Sequence, residues 1–313
     1  MIPWLSVIVP VHDGARFLGA TLESAAAERP QGVEFLVYDS GDDGGAARRV
    51  ADAYADRLDL RWTPVPEIKP WTAKTNLGVR EARTDHVCML HQDDLWLPGH
   101  LDAVRRMIMC CPESVSIGPS CFANADGGLV GKWKLPFGPG TIAKDRFLEA
   151  LLVQNSIAVP SPVIPRKAWL AVGGMDEDLW YTADWDLYLK LAGVAAIQVR
   201  PTITTAFRLH GRSLTMMGRR DALQFRAQLE TVLNRHVNAL PAALRKGAER
   251  LARVSIDVNC SLAAASAGQT RRALDGLAAM LRLGPRALIL YLCRSRIIDR
   301  LLPRVRLSLA GRF

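Results

Sequence analysis

Residues 85–94 read Asp-His-Val-Cys-Met-Leu-His-Gln-Asp-Asp, a short apolar run followed at once by two adjacent carboxylates. The apolar run, residues 87–90, has the length of a buried strand and is bounded by turn-forming residues. Two carboxylates at the end of a buried strand are costly unless a cation lies against them, so Asp93 and Asp94 indicate a hard divalent metal with a phosphate beyond it. The alternative is that both are solvated loop acids, or caps for a helix that begins near Pro98.

In the first ninety residues, apolar runs of strand length alternate with segments of helical spacing. The pattern predicts strands at 6–10, 34–38, 60–63 and 87–90, and helices at 15–27, 46–58 and 72–82. This alternation predicts an α/β fold with a mostly parallel sheet and helices on both faces. Neither GxGxxG nor GxxxxGK[ST] is present to hold phosphate, so a metal on the two acids would have to do so.

The remainder of the chain changes character twice. Glycine and proline interrupt residues 112–215, and the sequence after 216 is rich in alanine, leucine and arginine. We therefore predict an α/β domain at 1–215 and a basic α-helical subdomain at 216–313. The six cysteines have no disulfide or metal spacing, which predicts free, mostly buried thiols.

The 313-residue chain has a net charge of +9, which favours anionic partners. Eight arginines against one aspartate lie between residues 282 and 312, interleaved with apolar residues. This segment predicts contact with an anionic membrane surface, although the same helices would suit a subdomain packed on the core. Because no charge-free stretch of about 18 residues and no signal peptide is present, we expect a cytoplasmic protein.

Seven short segments follow one another in a characteristic order. They are Val-Ile-Val-Pro-Val-His-Asp-Gly (7–14), Glu-Phe-Leu-Val-Tyr-Asp-Ser-Gly (34–41), Lys-Thr-Asn-Leu-Gly (74–78), His-Gln-Asp-Asp (91–94), Gly-Gly-Met-Asp-Glu (173–177), Ala-Asp-Trp-Asp-Leu (183–187) and Arg-Leu-His-Gly-Arg-Ser-Leu-Thr (208–215). Together they resemble the motifs of family 2 glycosyltransferases, which have the GT-A fold. The resemblance covers about residues 4–215.

The resemblance implies a nucleotide-diphosphate sugar donor and a metal. Residues expected to contact the donor are Pro10, Asp39, Lys74 and Asp93. At a strand end, the Asp39 carboxylate can accept the N3–H of uracil or thymine, which favours UDP or dTDP; its alternative is a turn cap. Asp93 is expected to face the ribose, Asp94 and His210 to hold Mn²⁺ or Mg²⁺, and Lys74 to touch the diphosphate or remain a solvated helix lysine.

The resemblance implies that the segments 173–177 and 183–187 belong to the acceptor side. By resemblance, Asp184 is the base that takes the acceptor proton, with a helix N-cap as its alternative. Asp186 is expected to have a structural role in the first turn of the following helix. Trp180, Tyr181 and Trp185 would stack a sugar ring or serve as core aromatics.

These observations predict a metal-dependent, inverting glycosyltransferase whose acceptor is a glycan, in particular a lipid-linked cell-surface glycan. The QxxRW pattern of processive synthases is absent, which favours one addition per encounter. A sugar nucleotidyltransferase is the first alternative, but residues 11–16 are a poor version of its phosphate loop. A basic nucleic-acid-binding module is the second; because the arginines lack interleaved aromatics, we expect no nucleic acid partner.

Overall fold

In a computed structural model of the protein, which describes residues 3–211 and 221–309, twelve strands form two sheets. The strands are β1 (Leu5–Val11), β2 (Val33–Asp39), β3 (Asp59–Pro64), β4 (His86–Met89), β5 (Leu95–Trp96), β6 (Val115–Ile117), β7 (Ser120–Ala123), β8 (Leu129–Trp133), β9 (Gly140–Ile142), β10 (Val163–Pro165), β11 (Ile197–Val199) and β12 (Thr205–Arg208). The larger sheet has the order β3-β2-β1-β4-β10-β6-β11-β9, and the smaller has the order β5-β12-β7-β8.

Helices cover the sheet and form the C-terminal part of the chain. They are α1 (Ala15–Ala26), α2 (Ala46–Asp52), α3 (Trp71–Glu81), α4 (His100–Cys110), α5 (Lys144–Val153), α6 (Arg166–Ala171), α7 (Ala183–Leu191), α8 (Ala222–His236), α9 (Ala242–Ser266), α10 (Arg272–Leu281), α11 (Pro285–Ser295) and α12 (Ile297–Leu309). The predicted α/β class is confirmed. The helix predicted at 46–58 is shorter than expected, because it ends at Asp52.

Strands β1 to β4 are parallel, with β1 between β2 and β4. The strand order reverses direction at β1, so a crevice opens beyond the carboxyl ends of β1 and β4, where ligands bind in open α/β sheets. The glycine- and proline-rich middle of the chain supplies β9 and β10, which pair antiparallel with their neighbours.

The strands alternate their side chains between two cores. Val7 and Val9 of β1 pack with Leu18 and Leu22 of α1 on one face of the sheet. Ile8 belongs to the core on the other face, where α3, α5 and α7 contribute. On that face a Cβ at Gly78 of α3 would come within 2.6 Å of the Ile8 side chain, so only glycine lets the helix lie this close to the strand.

The smaller sheet connects two distant parts of the sequence. Strand β5, which follows Asp94 directly, pairs antiparallel with β12, and Ala206 lies opposite Leu95. Residues separated by more than a hundred positions, Asp94 and Arg208, thereby become neighbours. This pairing brings the motif around residue 210 to the strand-end acids.

The C-terminal helices pack on the α/β part through α5, α7 and β8. Phe225 and Leu229 of α8 belong to the same core as α7, and Val258 of α9 packs beside Val153 of α5. The predicted boundary after residue 215 lies outside the described residues and stays a prediction, as does the end of the 208–215 motif, residues 212–215.

Two further expectations can be compared with the structure. All six cysteines are free, as predicted, but the expectation that most are buried is wrong, because only Cys88 and Cys121 are. Within residues 3–211 and 221–309, no single helix is long and apolar enough to cross a bilayer. The pair Arg272–Leu281 and Pro285–Ser295 reaches that length and composition only together, with a bend of 119° between them.

Candidate active site

A cavity of about 340 Å³ opens at the carboxyl ends of β1 and β4. Its wall includes five of the seven residues that the sequence predicts as site residues: Pro10, Lys74, Asp93, Asp184 and His210. The other two are not part of this wall: Asp39 is the last residue of β2, and Asp94 lies in the loop after β4, directly before β5. Segments from across two hundred residues of sequence therefore converge on one site.

Asp94 is buried, with 1% of its surface exposed. Its Oδ1 accepts a hydrogen bond from the Arg208 backbone N–H at 3.1 Å, and its Oδ2 has no hydrogen-bond partner among the described residues. Burial raises the pKa of Asp94 well above its ordinary value, and the neighbouring Asp93 carboxylate adds to the rise. The solvated-loop alternative is therefore wrong for Asp94, whose free oxygen suits a cation.

His91 joins the two acids as a third potential metal ligand. One ligand atom from each of His91, Asp93 and Asp94 lies within 4.8 Å of the others. Burial lowers the pKa of His91 to about 4, so the imidazole is neutral, and its Nε2 has no hydrogen-bond partner in the described part of the chain. A neutral imidazole with two carboxylates fits Mn²⁺, and the orphaned Asp94 oxygen supports the fit.

His210, the predicted second ligand, lies outside this group of three. Its Nε2 lies 2.8 Å from Oδ2 of Asp93, and its buried Nδ1 has no hydrogen-bond partner within residues 3–211 and 221–309. Phe17 packs against the ring, with 4.4 Å between centroids. His210 therefore orients Asp93, and its direct ligation of a metal stays a prediction.

Asp184 lies in the first turn of α7, where Thr182 and not Asp184 is the N-cap residue. Its Oδ1 accepts the Trp185 backbone N–H at 2.8 Å, and its Oδ2 accepts from Asn155 Nδ2 at 2.9 Å. Burial raises the pKa of Asp184 to about 6, against the effect of these two hydrogen bonds. A carboxylate with this pKa, on the wall of a cavity, is suited to accept a proton near neutral pH.

Asp186 is two residues further along α7 and has the opposite environment. It lies 2.8 Å from His236 Nε2, 2.9 Å from Arg235 Nη1 and 3.0 Å from Lys190 Nζ. Burial acts to raise the pKa of Asp186, but the His236 hydrogen bond and the Lys190 ammonium outweigh it and lower the pKa to about 2. Asp186 thus joins α7 to α8, which agrees with its predicted structural role.

At the other end of the cavity, Lys74 is fully buried. Its ammonium donates to Val11 O and to Ser40 Oγ at 2.7 Å, which ties β1 to β2. Burial lowers the pKa of Lys74 to about 8, so the solvated-lysine alternative is wrong. Asp39 accepts the Gly41 N–H at 2.8 Å, and burial raises the pKa of Asp39. Neither observation involves a nucleotide base, and the role of Asp39 in base binding stays a prediction.

The predicted aromatic residues divide into two groups. All three line the cavity, but Trp180 and Tyr181 are partly exposed, whereas Trp185 is buried and donates its indole N–H to Leu151 O at 2.8 Å. Trp71 adds a further ring to the wall and donates its indole N–H to Trp180 O at 3.0 Å. Flat apolar surface therefore faces the space in front of Asp184, as sugar stacking requires.

Sequence reasoning missed several residues that shape this site. They are His91 as a potential ligand, Gln92, Asn155, Arg208, and the C-terminal residues Arg300 and Arg304 on the cavity wall. Gln92 accepts the His12 N–H at 2.8 Å and donates to His12 O at 3.1 Å, which fixes the loop after β1. Position next to the acid pair was the only sequence signal for His91 and Gln92.

Comparisons with known proteins agree with this geometry. The family described as "Glycosyl transferase family 2" matches residues 6–119. An uncharacterized glycosyltransferase of Rickettsia felis is 24% identical over 211 residues, which cover 66% of this chain and 34% of the relative. Chondroitin synthase of Escherichia coli is 21% identical over 222 residues, which cover 69% of this chain and 30% of that protein. The chain thus matches about a third of the length of these relatives.

Solved structures show the same fold. TarS of S. aureus in complex with UDP-GlcNAc superposes with a TM-score of 0.56 at 14% identity, over 87% of this chain and 89% of TarS. The mannosyltransferase PcManGT of Pyrobaculum calidifontis, in complex with GDP-Man and Mn²⁺, gives 0.54 at 19% identity, over 98% and 87%. The fold is therefore GT-A. The predicted resemblance to family 2 glycosyltransferases is confirmed, and the family match covers residues 6–119.

Proposed function

We propose that the protein is a metal-dependent, inverting glycosyltransferase that moves a sugar from a nucleotide-diphosphate sugar to a hydroxyl acceptor. One observation carries the proposal: His91 and Asp93 of the candidate metal site and a separate carboxylate with a raised pKa, Asp184, face the same cavity. The phenol of Tyr188, buried on α7, has a raised pKa through burial and through the charges of both Asp184 and Asp94. Asp184 and Asp94 are therefore both close enough to Tyr188 to disfavour ionisation of its phenol.

The reaction follows from these positions. The acceptor hydroxyl oxygen forms a bond to the anomeric carbon while the bond from that carbon to the diphosphate oxygen breaks. Asp184 takes the hydroxyl proton, and the electron pair of the broken bond leaves with the nucleoside diphosphate. A single displacement with one base and no protein nucleophile inverts the anomeric centre.

We expect the nucleotide-diphosphate sugar to bind at the end of the cavity away from Asp184. His91, Asp93 and Asp94 would hold Mn²⁺ or Mg²⁺, which neutralises charge on the departing diphosphate. Lys69, whose ammonium donates to Ser40 O at 3.0 Å, and Lys74 add fixed positive charge nearby. We expect Asp39 at the end of β2 to accept the N3–H of a pyrimidine base, which favours UDP or dTDP.

The test is donor turnover. With Mn²⁺, we expect release of UDP from UDP-sugars, slow to water and faster with acceptor present, and loss of transfer in Asp184→Asn with unchanged UDP affinity by calorimetry. Asp178→Asn, an exposed acid in the loop before α7, serves as the control. Release of pyrophosphate from a nucleoside triphosphate and a sugar phosphate would instead identify a nucleotidyltransferase.

We also propose that the C-terminal helices rest on an anionic membrane that carries a lipid-linked acceptor. Large apolar side chains are exposed along α10, α11 and α12: Leu274, Leu277, Leu281, Ile289, Leu290, Ile298, Leu302 and Val305. Exposed arginines flank them at positions 271, 272, 282 and 286. Apolar side chains bordered by arginine complement an anionic lipid surface and would keep a cytoplasmic enzyme at its inner face.

Vesicle co-sedimentation tests this second proposal. Replacing Leu274, Leu277 and Leu281 with serine should weaken binding to anionic vesicles at least tenfold, since burial of each leucine contributes about 1.5 kcal/mol or more. Val194→Ser, an equally exposed apolar residue on the α/β part, should have no effect. Equal sedimentation of all variants would show that the leucines do not contact lipid.

A further inference from the structure

We propose that His91 is the nitrogen ligand of the metal and that, through His91, the site binds Mn²⁺ and Co²⁺ in preference to Mg²⁺. This inference rests on the proposed metal-dependent transferase and specifies the ion that the enzyme uses. Its basis is the composition of the metal cluster, in which ligand atoms of His91, Asp93 and Asp94 lie within 4.8 Å of one another. The set of candidate ligands is therefore one imidazole and two carboxylates, whereas Mg²⁺ prefers oxygen ligands alone.

Two atoms of this cluster are buried without a hydrogen bond. They are Nε2 of His91 and Oδ2 of Asp94, neither of which has a partner within residues 3–211 and 221–309. A buried polar atom left unpaired costs about 1–3 kcal/mol, and the Asp94 carboxylate also lies next to the like charge of Asp93. A water molecule would leave these adjacent acids uncompensated, whereas a divalent cation satisfies a nitrogen lone pair and the carboxylate oxygens together.

The loop that carries these residues holds them in position before an ion binds. The backbone N–H of Asp94 donates to His91 O at 3.1 Å, which closes a tight turn. Inside that turn, the Gln92 side chain is tied to the backbone of His12 by hydrogen bonds of 2.8 Å and 3.1 Å. The Trp71 ring meets the His91 ring edge-on, with 5.0 Å between centroids. The imidazole is therefore already positioned, which reduces the ordering cost of ligation.

His210, the other histidine beside the acids, has a different environment. Its Nε2 lies 2.8 Å from Oδ2 of Asp93, and its ring packs against Phe17. A carboxylate that binds a metal is commonly oriented by a hydrogen bond from a second residue, and His210 is placed to orient Asp93 in this way. Its buried Nδ1 has no partner in the described part of the chain either, so variants of both histidines are needed to distinguish their roles.

An imidazole ligand changes which ion binds best. Mg²⁺ requires a strict octahedron of oxygen atoms and gives up its waters reluctantly, so it gains little from a ring nitrogen. Affinity for a site that contains nitrogen rises from Mn²⁺ to Co²⁺ along the first transition row. The affinities should therefore increase from Mg²⁺ to Mn²⁺ to Co²⁺. Replacing His91 with aspartate supplies an oxygen ligand and one more negative charge, which should strengthen the binding of every divalent ion but reduce the differences among them.

Calorimetry with the metal ions as probes tests this selectivity. Metal-free full-length protein is titrated with Mg²⁺, Mn²⁺ and Co²⁺, alone and again with an equimolar amount of whichever of UDP or GDP binds. His91→Asn should weaken Mn²⁺ binding about tenfold or more, since even residues that only orient a metal ligand contribute about 10–100-fold. His91→Asp should reduce the ratio of Mn²⁺ to Mg²⁺ affinity by a similar factor, and the ratio of Co²⁺ to Mg²⁺ affinity by more.

Electron spin echo measurements on bound Mn²⁺ identify the ligand directly, because a coordinated imidazole nitrogen modulates the echo. We expect nitrogen modulation in the unchanged protein, its loss in His91→Asn and His91→Asp, and its retention in His210→Asn. His12→Asn removes an exposed histidine from the same cavity wall; as the matched control, it should retain both the modulation and the metal affinities. Thermal unfolding of each metal-free variant shows that it is folded before it is compared.

Three outcomes would overturn the inference. Absence of nitrogen modulation in the unchanged protein means that only oxygen ligates the ion. Modulation that persists in His91→Asn and disappears in His210→Asn assigns the nitrogen to His210. An unchanged ratio of Mn²⁺ to Mg²⁺ affinity in His91→Asp shows that His91 does not select the ion. In each case, metal-stimulated release of UDP or GDP from its sugar leaves the proposed transferase intact, whereas full sugar transfer in EDTA refutes metal dependence and this inference together.

Discussion

Asp184 and Asp186 should respond in opposite ways to the same substitution. They lie two residues apart in α7, and both are buried. Burial raises the pKa of Asp184 to about 6, whereas the cations around Asp186 lower its pKa to about 2 against the effect of burial. The folded protein therefore resists ionisation of the first group and favours ionisation of the second.

The sign and size of each effect follow from linkage. For Asp184, a pKa of about 6 against an ordinary 3.8 corresponds to about 3 kcal/mol of instability once the carboxylate is fully ionised. That penalty is absent below pH 3.8 and complete above pH 6. Asp184→Asn removes the charge, but the new amide N–H group would face the Asn155 N–H donor, and the lost hydrogen bond lowers stability by about 1 kcal/mol. We expect a net gain of about 2 kcal/mol at pH 8.

Asp186→Asn should do the reverse. The stability that Asp186 contributes is present above its ordinary pKa of 3.8 and is lost as the pH falls through about 2. At pH 8 the variant leaves Lys190, Arg235 and His236 without their shared anion. We expect a loss of at least about 2 kcal/mol, since each hydrogen bond to a charged group contributes about 1.5–3 kcal/mol.

Thermal and denaturant unfolding at pH 8 and pH 4.5 provide the assay. Asp184→Asn should unfold at a higher temperature than the unchanged protein at pH 8, with the difference shrinking toward pH 4.5, while sugar transfer is lost. Asp186→Asn should unfold earlier at both pH values. An Asp184→Asn variant that is destabilised at pH 8 would refute the assignment of Asp184 as a carboxylate held at a cost for catalysis.

Three other predictions concern the base, the metal and the packing of α3. Asn155→Ala removes a hydrogen bond that lowers the pKa of Asp184, so the acid limb of the kcat/KM profile should move upward from about pH 6 by roughly one unit; a limb that stays in place would separate Asn155 from the base. Asp94→Asn or EDTA should reduce turnover by roughly 10²-fold, with Mn²⁺ restoring only the EDTA-treated enzyme; full activity in EDTA would contradict a metal. Gly78→Ala should lower the free energy of unfolding by about 1–3 kcal/mol, because the added methyl group would collide with β1. Gly247→Ala, at a helix position with open space around it, should raise it by about 0.5–1 kcal/mol. Denaturant unfolding measures both.

The part of the site built from strand ends could be predicted from the sequence. Strand periodicity placed Asp39 at the carboxyl end of β2 and the acid pair just past β4, and the structure has Asp39 as the last residue of β2 and the acid pair in the loop that follows β4. Parallel strands necessarily bring such ends to one edge of the sheet. The neutral state of His91 and the burial of Lys74 could not be predicted in this way. Burial determines the protonation of both side chains, and the burial of a single polar residue leaves no periodic pattern in the sequence.

Contacts between distant segments could not be predicted. Asn155 follows α5 with no motif around it, and it reaches Asp184 only because α5 and α7 share a core. The pairing of β5 with β12 places Arg208 against Asp94, but strands of two and four residues are too short to recognise by periodicity. These contacts depend on tertiary packing, which one sequence does not specify locally.

The C-terminal arginines illustrate how the same charge can have two roles. From the sequence, the basic tail was interpreted as one surface. In the structure its arginines have different positions: Arg294 forms an ion pair with Glu149 at 2.7 Å, and Arg300 and Arg304 line the cavity. On α12 these two arginines are four residues apart and share one face, whereas Ile298, Leu302 and Val305 are exposed on another. A single helix thus presents apolar side chains on one side and places arginines at the cavity on the other, which a count of charges along the sequence does not distinguish.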